Sequence, residues 1–557
     1  LAYTDLACAA TAGAAWYLHP EWGARPLILV LAPWAARWIL AGRPSRRTPL
    51  DLPLALFLAT AGMGVWTAVH KETAWAKFWI IVGAVAVFYA VVNQPTTRHL
   101  GVFATLYALF GAGIAGYFLW TNNWIHGKAK IEALTELGKA IQAMLPPFLG
   151  HQMQPNVVGG MLVMIVPFQL VVLFSNRGTG AQIYADKRRL GWWGLGRGLV
   201  APALALTAFG LLLTTSRGAW LALGVGLGLW ALWWASGRQL AMLQPPSSFQ
   251  RRLTRFATLL AAAVLLGGTV LLVVPGGPQQ LLAVVPGQNQ LPDRVSLWRR
   301  ALYLVQDTPF TGGGLGSFPA LDSAYAYPIT NWIRYRVFIW VTNIHSHNLW
   351  LDVAVEQGLA GLVALLCIQG AFVVTVWRAR RVAQDERDRW RATLVEAAAV
   401  SALVVAIHGL VDDVPYGSRA MLLFFVPMGV VAARVQAARP FPQSPRLAIA
   451  LPVGLLLVSL TALIWHRPLA AGWQADLGSV DQAKIELGGY LDEDFDFYAA
   501  RATADTGDAA ARFEAALALR PTQPTANLRL GLIRLAHGDF EGAIPLLERA
   551  YLAQPGR

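Results

Sequence analysis

Apolar positions along this chain do not alternate or recur every third or fourth residue. They run in long blocks, each close to the ~20 residues with which an α-helix crosses a hydrocarbon layer. Thirteen blocks are recognisable, at about 3–19, 25–41, 51–69, 73–93, 100–121, 156–175, 195–214, 217–236, 256–275, 347–376, 393–412, 418–435 and 447–465. Lipid offers no partner to a bare peptide group, so blocks of this length predict helices. The expected fold is an all-α polytopic membrane protein with about 12–13 transmembrane helices.

The polar intervals are as informative. Residues 122–150 contain Ile131, Leu134, Leu137 or Gly138, Ile141 and Leu145 at helical spacing, which predicts an amphipathic helix lying on a membrane surface. The long interval 276–346, rich in Pro, Gly and aromatic residues, has the length of a functional loop. After about residue 466 the chain turns polar and alanine-rich. There RFEAALALRP (512–521) aligns with LLERAYLAQP (546–555) at an offset of 34 residues, a period that resembles tetratricopeptide repeats. The domain expectation is a membrane domain over 1–466 and a small helical tail over 467–557, usable for protein contact.

Composition agrees with the blocks. Of 557 residues 56% are hydrophobic and only 14% charged, against about 25% charged in soluble domains. A net charge of +14 would suit nucleic acid, but the arginines lie in short loops. Arg43, Arg46 and Arg47, then Arg98, Arg177, Lys187, Arg238, Arg251, the 378–391 cluster and Arg434 all follow even-numbered blocks. By the positive-inside rule these loops are cytoplasmic, the N-terminus is inside, and the loops at 122–150 and 276–346 with the tail are extracytoplasmic. Nucleic acid is set aside as a partner. Cys8 and Cys367 lie far apart in apolar blocks and read as buried thiols rather than a disulfide or metal pair. No cleavable signal peptide is read from the start.

With that topology, the titratable residues collect on the outer side. Arg217 occupies a very tight turn between two blocks, where an idle arginine is disfavoured. Arg294, Arg299 and Arg300 stand just ahead of a helical pattern, and Arg334 and Arg336 follow in the same loop. Such an outward basic set over an apolar bundle suits an anion carried on a lipid, because guanidinium groups bind phosphate oxygens bidentately. The run GGGLGSF (312–318) is a turn by default and a phosphate cradle at most. NIHSHNLWLDVAVEQG (343–358) sets His345 and His347 at the outer end of an apolar block, with Asp352 and Glu356 one to two turns deeper. A neutral imidazole there is placed to take a proton from a hydroxyl. Metal ligation by His345, His347 and Asp352 is discounted, since no further ligand cluster has matching spacing. Asp412 and Asp413 lie in another outer turn beside Arg419, where a salt bridge is expected.

These residues resemble the O-antigen ligase and polymerase superfamily of bacterial membrane glycosyltransferases. The resemblance rests on Ser216-Arg217-Gly218, on Arg294 and Trp298 followed by Pro309, Gly312, Gly314, Gly316 and Phe318, and on His347-Asn348 followed by Gly358, Gly361 and Leu362. Pro155-Asn156 ahead of a block is a further match, and the likeness covers roughly residues 20–435. It implies a GT-C-like fold and a cofactor-free, metal-independent, inverting transfer of a glycan from undecaprenyl diphosphate to an acceptor hydroxyl. That hydroxyl belongs to a glycan, lipid or protein on the outer face of the cytoplasmic membrane. By the same resemblance Arg217 and Arg294 bind the diphosphate, with Arg334 or Arg336 as a third contact. His347 activates the acceptor, His345 orients or substitutes, and Asn348, Glu356, Asp352, Asp412 and Asn156 support them. A polymerase or a protein O-oligosaccharyltransferase would share these motifs. A transporter of lipid-linked glycan is the rival from another class, and the absence of an evident internal repeat across the blocks counts against it.

Overall fold

Most apolar blocks fold as helices where the pattern puts them. The computed structural model describes residues 2–19, 22–94, 96–124, 131–146, 152–174, 190–239, 290–326, 345–385, 389–435 and 463–555. In chain order the helices are α1 (Ala2–Leu18), α2 (Leu27–Ala41), α3 (Asp51–Thr67), α4 (Lys71–Val92), α5 (Thr97–Thr121), α6 (Glu132–Ala143), α7 (Pro155–Phe174), α8 (Leu190–Leu213) and α9 (Arg217–Gln239). They continue with α10 (Gln290–Asp307), α11 (Leu349–Asp385), α12 (Arg389–Gly409), α13 (Val426–Val435), α14 (His466–Glu486), α15 (Phe497–Thr503), α16 (Gly507–Leu519), α17 (Pro524–Ala536) and α18 (Phe540–Ala553). Among the described residues there is no strand. Five of the described helices are long and apolar enough to cross a membrane, and five more are shorter and apolar. The protein is an all-α polytopic membrane protein. The expected span at 256–275 and nearly all of that at 447–465 lie outside the described residues.

Three expectations need correction. The block at 418–435 is not one helix but a short turn of helix, Met421–Phe424, followed by α13. Pro427 accounts for the break: it has no N–H to donate to the carbonyl four residues earlier, so a new helix starts with the proline in its first turn. The arginines of the long loop stand within α10 rather than ahead of a helix. Cys8 and Cys367 are free thiols, as expected, yet Cys8 is half-buried and Cys367 is exposed on α11 rather than buried.

The described contacts divide the chain into two units. The first comprises residues 1–51, 80–293 and 369–438. Its centre is α7, buried at almost every position from Val158 to Val172, with α5, α8, α9 and α12 packed against it. Small residues let these helices approach, as is usual where lipid supplies no hydrophobic drive between them. A Cβ on Gly111 would come within 2.9 Å of Ile165. Buried polar groups are paired across the helices: Gln169 donates to the Ala108 carbonyl at 2.9 Å and to the Thr207 hydroxyl at 2.8 Å. Beside this core, α6 is amphipathic as expected. Its packed position is Gly138, against Trp124, while Leu137 faces outward.

The second unit comprises residues 52–79, 294–368 and 439–557. One apolar core joins Leu297, Leu304, Phe318 and Val355 to Leu487 and Phe497 of the tail region. A smaller core holds α14, α16, α17 and α18 together through Ala475, Phe513, Leu530 and Leu546. Buried charge ties the two cores. Arg529, fully buried in α17, bonds Asp307 at 2.5 Å and lies 3.5 Å over the Tyr325 ring. Tyr325 in turn donates to Glu486 at 2.9 Å, and Arg501 donates to the same carboxylate at 3.0 Å.

Asp476 of α14 is buried, and loss of hydration pushes its carboxyl up to about 6 despite three hydrogen bonds that act the other way. Because the folded value lies above the unfolded one, stability from this group is fully present below pH ~4 and is lost as pH rises through about 6. Wild type minus Asp476→Asn, followed as thermal unfolding midpoint against pH, is therefore expected to fall between those values. A flat difference would show that the group does not titrate in this window.

Candidate functional site

Each unit gathers its own set of motif residues. In the first unit the link between α8 and α9 is only Thr214–Ser216, and Thr215 takes a left-handed backbone (φ 49°) to turn the chain so sharply. Thr214 holds the turn, donating to the Leu211 carbonyl at 2.7 Å and accepting the Ser216 N–H at 3.3 Å. Arg217 is the first residue of α9 and is half-buried. Glycines admit two neighbouring segments. A Cβ on Gly159 would meet Ser216 at 2.9 Å, and one on Gly218 would meet Val411 at 3.1 Å and the His408 ring at 3.4 Å. Asn156 then donates to Asp412 at 3.3 Å, and the other Asp412 oxygen accepts the Asp413 N–H at 3.0 Å. The Pro155–Gly160, Thr214–Gly218 and His408–Val414 segments thus converge, bringing together Asn156, Arg217 and Asp412.

Sequence reasoning gave His408 no role. It is buried at the end of α12 between Gly160 and Gly218, and its carbonyl accepts the N–H groups of Val411 and Asp412 at 3.0 and 2.9 Å. The available signal was a histidine at the end of a long apolar block, four residues ahead of Asp412.

In the second unit α11 begins at Leu349, so His345 and His347 precede the helix instead of lying on it. Asn348 caps that helix, its side-chain oxygen accepting the N–H groups of Trp350 and Leu351 at 3.1 Å each. Asp352 reaches back to accept the Ser346 N–H at 2.8 Å, fixing the segment between the two histidines. The His345 and His347 rings lie 4.2 Å apart, and His347 itself holds a left-handed backbone (φ 54°). A bulky residue in that conformation is strained, and strain of about 1–3 kcal/mol persists where surrounding contacts over-determine it.

The glycine run does not cradle phosphate. Its N–H groups are engaged by protein: Gly313 donates to Val355 at 2.7 Å, Gly314 to Glu356 at 3.2 Å, Leu315 to Gly64 at 2.9 Å, and Gly316 to the Glu356 carboxylate at 2.9 Å. The second Glu356 oxygen pairs with Lys77 at 2.7 Å. Opposite the run, α11 kinks at Gly358 (φ 69°), and Leu359 donates to the Pro309 carbonyl at 2.8 Å. The loop and the kink therefore cross backbone on backbone, which only glycines permit. Glu356 braces this joint with both its backbone carbonyl and its carboxylate, whereas Asp352, one turn earlier on α11, bonds the histidine segment instead.

Of the loop arginines, Arg294 is half-buried and Arg299 exposed. Arg300 is buried and bonds both oxygens of Asp322, at 2.7 and 2.9 Å, so it serves the fold rather than an anion. Arg334 and Arg336 lie outside the described residues.

Residues 202–366 match the family model described as O-antigen ligase. That stretch contains the Arg217 turn, Arg294, the glycine joint and His347. No curated protein matches the chain.

Proposed function

On the premise that this chain is a member of the O-antigen ligase superfamily, with its family domain at residues 202–366, we propose that it transfers a glycan en bloc from undecaprenyl diphosphate to an acceptor hydroxyl. Arg217 and Arg294 bind the diphosphate and stabilise the charge it develops on leaving, which makes a metal dispensable. Arg334 or Arg336 adds a third contact. His347 takes the acceptor proton, and attack from the face opposite the leaving group inverts the sugar carbon. His345 orients it or serves in its place. Both histidines, the Arg217 turn and the tail face the extracytoplasmic side of the cytoplasmic membrane, and the tail from 467 onward recruits a protein through tetratricopeptide-like helices. The observation that carries this reading is the setting of His347: a strained histidine beside a second imidazole, fixed from behind by Asp352 and by the Asn348 cap.

Purified protein in nanodiscs, given an undecaprenyl diphosphate-linked oligosaccharide and candidate acceptors with EDTA present, tests it. Wild type is expected to release lipid diphosphate. Arg217→Ala is expected to lose about 10²-fold or more, the scale for removing one donor to a developing anion. A ladder of lengthening products identifies a polymerase, and a single transfer identifies a ligase or a protein oligosaccharyltransferase. No release with any acceptor rejects the reading and favours a transporter.

A further inference from the structure

The second unit shows something the proposed reaction does not use. The motif loop Pro309–Phe318 is gripped from two sides. On one side stand Gly64, Ala68 and the kink of α11 at Gly358. On the other stands α14 of the tail region. The Asp476 carboxylate accepts the N–H of Phe310 at 2.8 Å, the N–H of Thr311 at 3.3 Å and the hydroxyl of Thr311 at 2.5 Å. Phe310 also lies against Gly472 and Trp473. Two residues before the loop, Asp307 at the end of α10 is held by Arg529 of α17. Few reasons exist to bury a carboxylate, since desolvation costs several kcal/mol unless its hydrogen bonds fix something.

Pro309 is the residue whose carbonyl receives the Leu359 N–H, and Gly313 and Gly314 bond the Val355 and Glu356 carbonyls. Whatever fixes residues 309–314 therefore fixes α11 at Val355, Glu356 and Leu359, and one helical turn earlier Asp352 holds the backbone between the two histidines. We propose that Asp476 is a positioning residue for the transfer reaction: the tail clamps the Pro309–Phe318 loop through this carboxylate, and the loop in turn holds α11 and its histidine segment in register. The tail then acts as part of the catalytic framework and not only as a surface for partners. The proposal rests on the transferase reading for its effect on rate, but the clamp itself does not.

The test uses the full chain in nanodiscs with two readouts, amide hydrogen exchange and glycan transfer. In Asp476→Ala, exchange is expected to rise in peptides covering 309–318 and 355–362, with kcat falling about tenfold and KM little changed, because misplacement rather than lost binding sets the rate. Asp476→Asn keeps a side-chain oxygen for the two backbone N–H groups and is expected to restore both readouts to within about twofold. A role confined to tail stability would lower exchange protection in α14–α18 alone and would not separate the Ala and Asn variants. Where Asp476→Ala fails to fold, Thr311→Val removes one donor from the loop side and is expected to raise exchange in the same two peptides. Unchanged exchange at 309–318 and 355–362 overturns the clamp. Raised exchange with wild-type transfer overturns the positioning role. A wild type with no transfer defeats the reaction reading alone, since exchange still decides the clamp.

Discussion

Gly312→Ala is expected to destabilise the protein by about 3 kcal/mol or more, the sum of a backbone clash and a side chain forced into left-handed backbone. Gly312 holds φ 74°, and a Cβ there would stand 2.5 Å from both the Glu356 carbonyl carbon and the Gly358 nitrogen and 2.6 Å from the Gln357 nitrogen. All three are backbone atoms, so no side chain can swing away to make room. Gly358 is the reciprocal half of the contact, 2.7 Å from the Phe310 oxygen by the same construction and at φ 69°. Against a total folding stability of about 5–15 kcal/mol, such a loss removes a large share. Gly62→Ala is the control: it lies in α3 with nothing within 4 Å of its added Cβ, and is expected to be neutral or slightly stabilising. Thermal unfolding followed by tryptophan fluorescence checks both. Equal midpoints for the two variants would show that the loop and the kink do not cross as closely as described.

His347→Asn is expected to lower transfer by 10²- to 10⁴-fold, roughly the range general-base catalysis supplies. Asparagine is chosen because it tolerates left-handed backbone better than other non-glycine residues, so it separates loss of the base from relief or increase of strain. His347→Ala removes the base too but loses what tolerance the backbone had, so its rate should be no higher. His345→Ala is expected to cost less, about tenfold, if its ring serves mainly to orient its neighbour across the 4.2 Å between them. Released lipid diphosphate measured against pH is the readout. Full transfer by His347→Asn would remove His347 from the chemistry.

The two predictions separate what the motif residues do. Glycines 312, 314 and 316 read in sequence as a turn by default and an anion cradle at most, and Gly358 as part of the histidine motif. Gly312 and Gly358 are the two halves of a close crossing between the loop and the α11 backbone. Gly312 donates its N–H to the Thr308 carbonyl, Gly314 to the Glu356 carbonyl and Gly316 to the Glu356 carboxylate. No spacing rule distinguishes a glycine that approaches phosphate from one that approaches another strand of its own chain, because both demand the same missing Cβ. By residue type and place in the loop, Arg300 was as good an anion ligand as its neighbours. Only the position of Asp322, 22 residues on, marks Arg300 as a partner in a buried pair.

Sequence alone determined the fold class, most helix positions and the candidates. Blocks of lipid-spanning length admit one solution, since unpaired peptide groups are too costly in hydrocarbon. Charged residues at the ends of such blocks stand out for the same reason. Tertiary structure decided which candidates meet. Asn156, Arg217 and Asp412 come from three separate segments, the outer two 256 residues apart, and converge because Gly159, Gly160 and Gly218 let their helices close. It also decided the part played by Asp476, which in sequence is one acidic residue of a polar tail. Burial and three hydrogen bonds to the motif loop are properties of packing, and contacts across 165 residues of chain leave no local pattern to read.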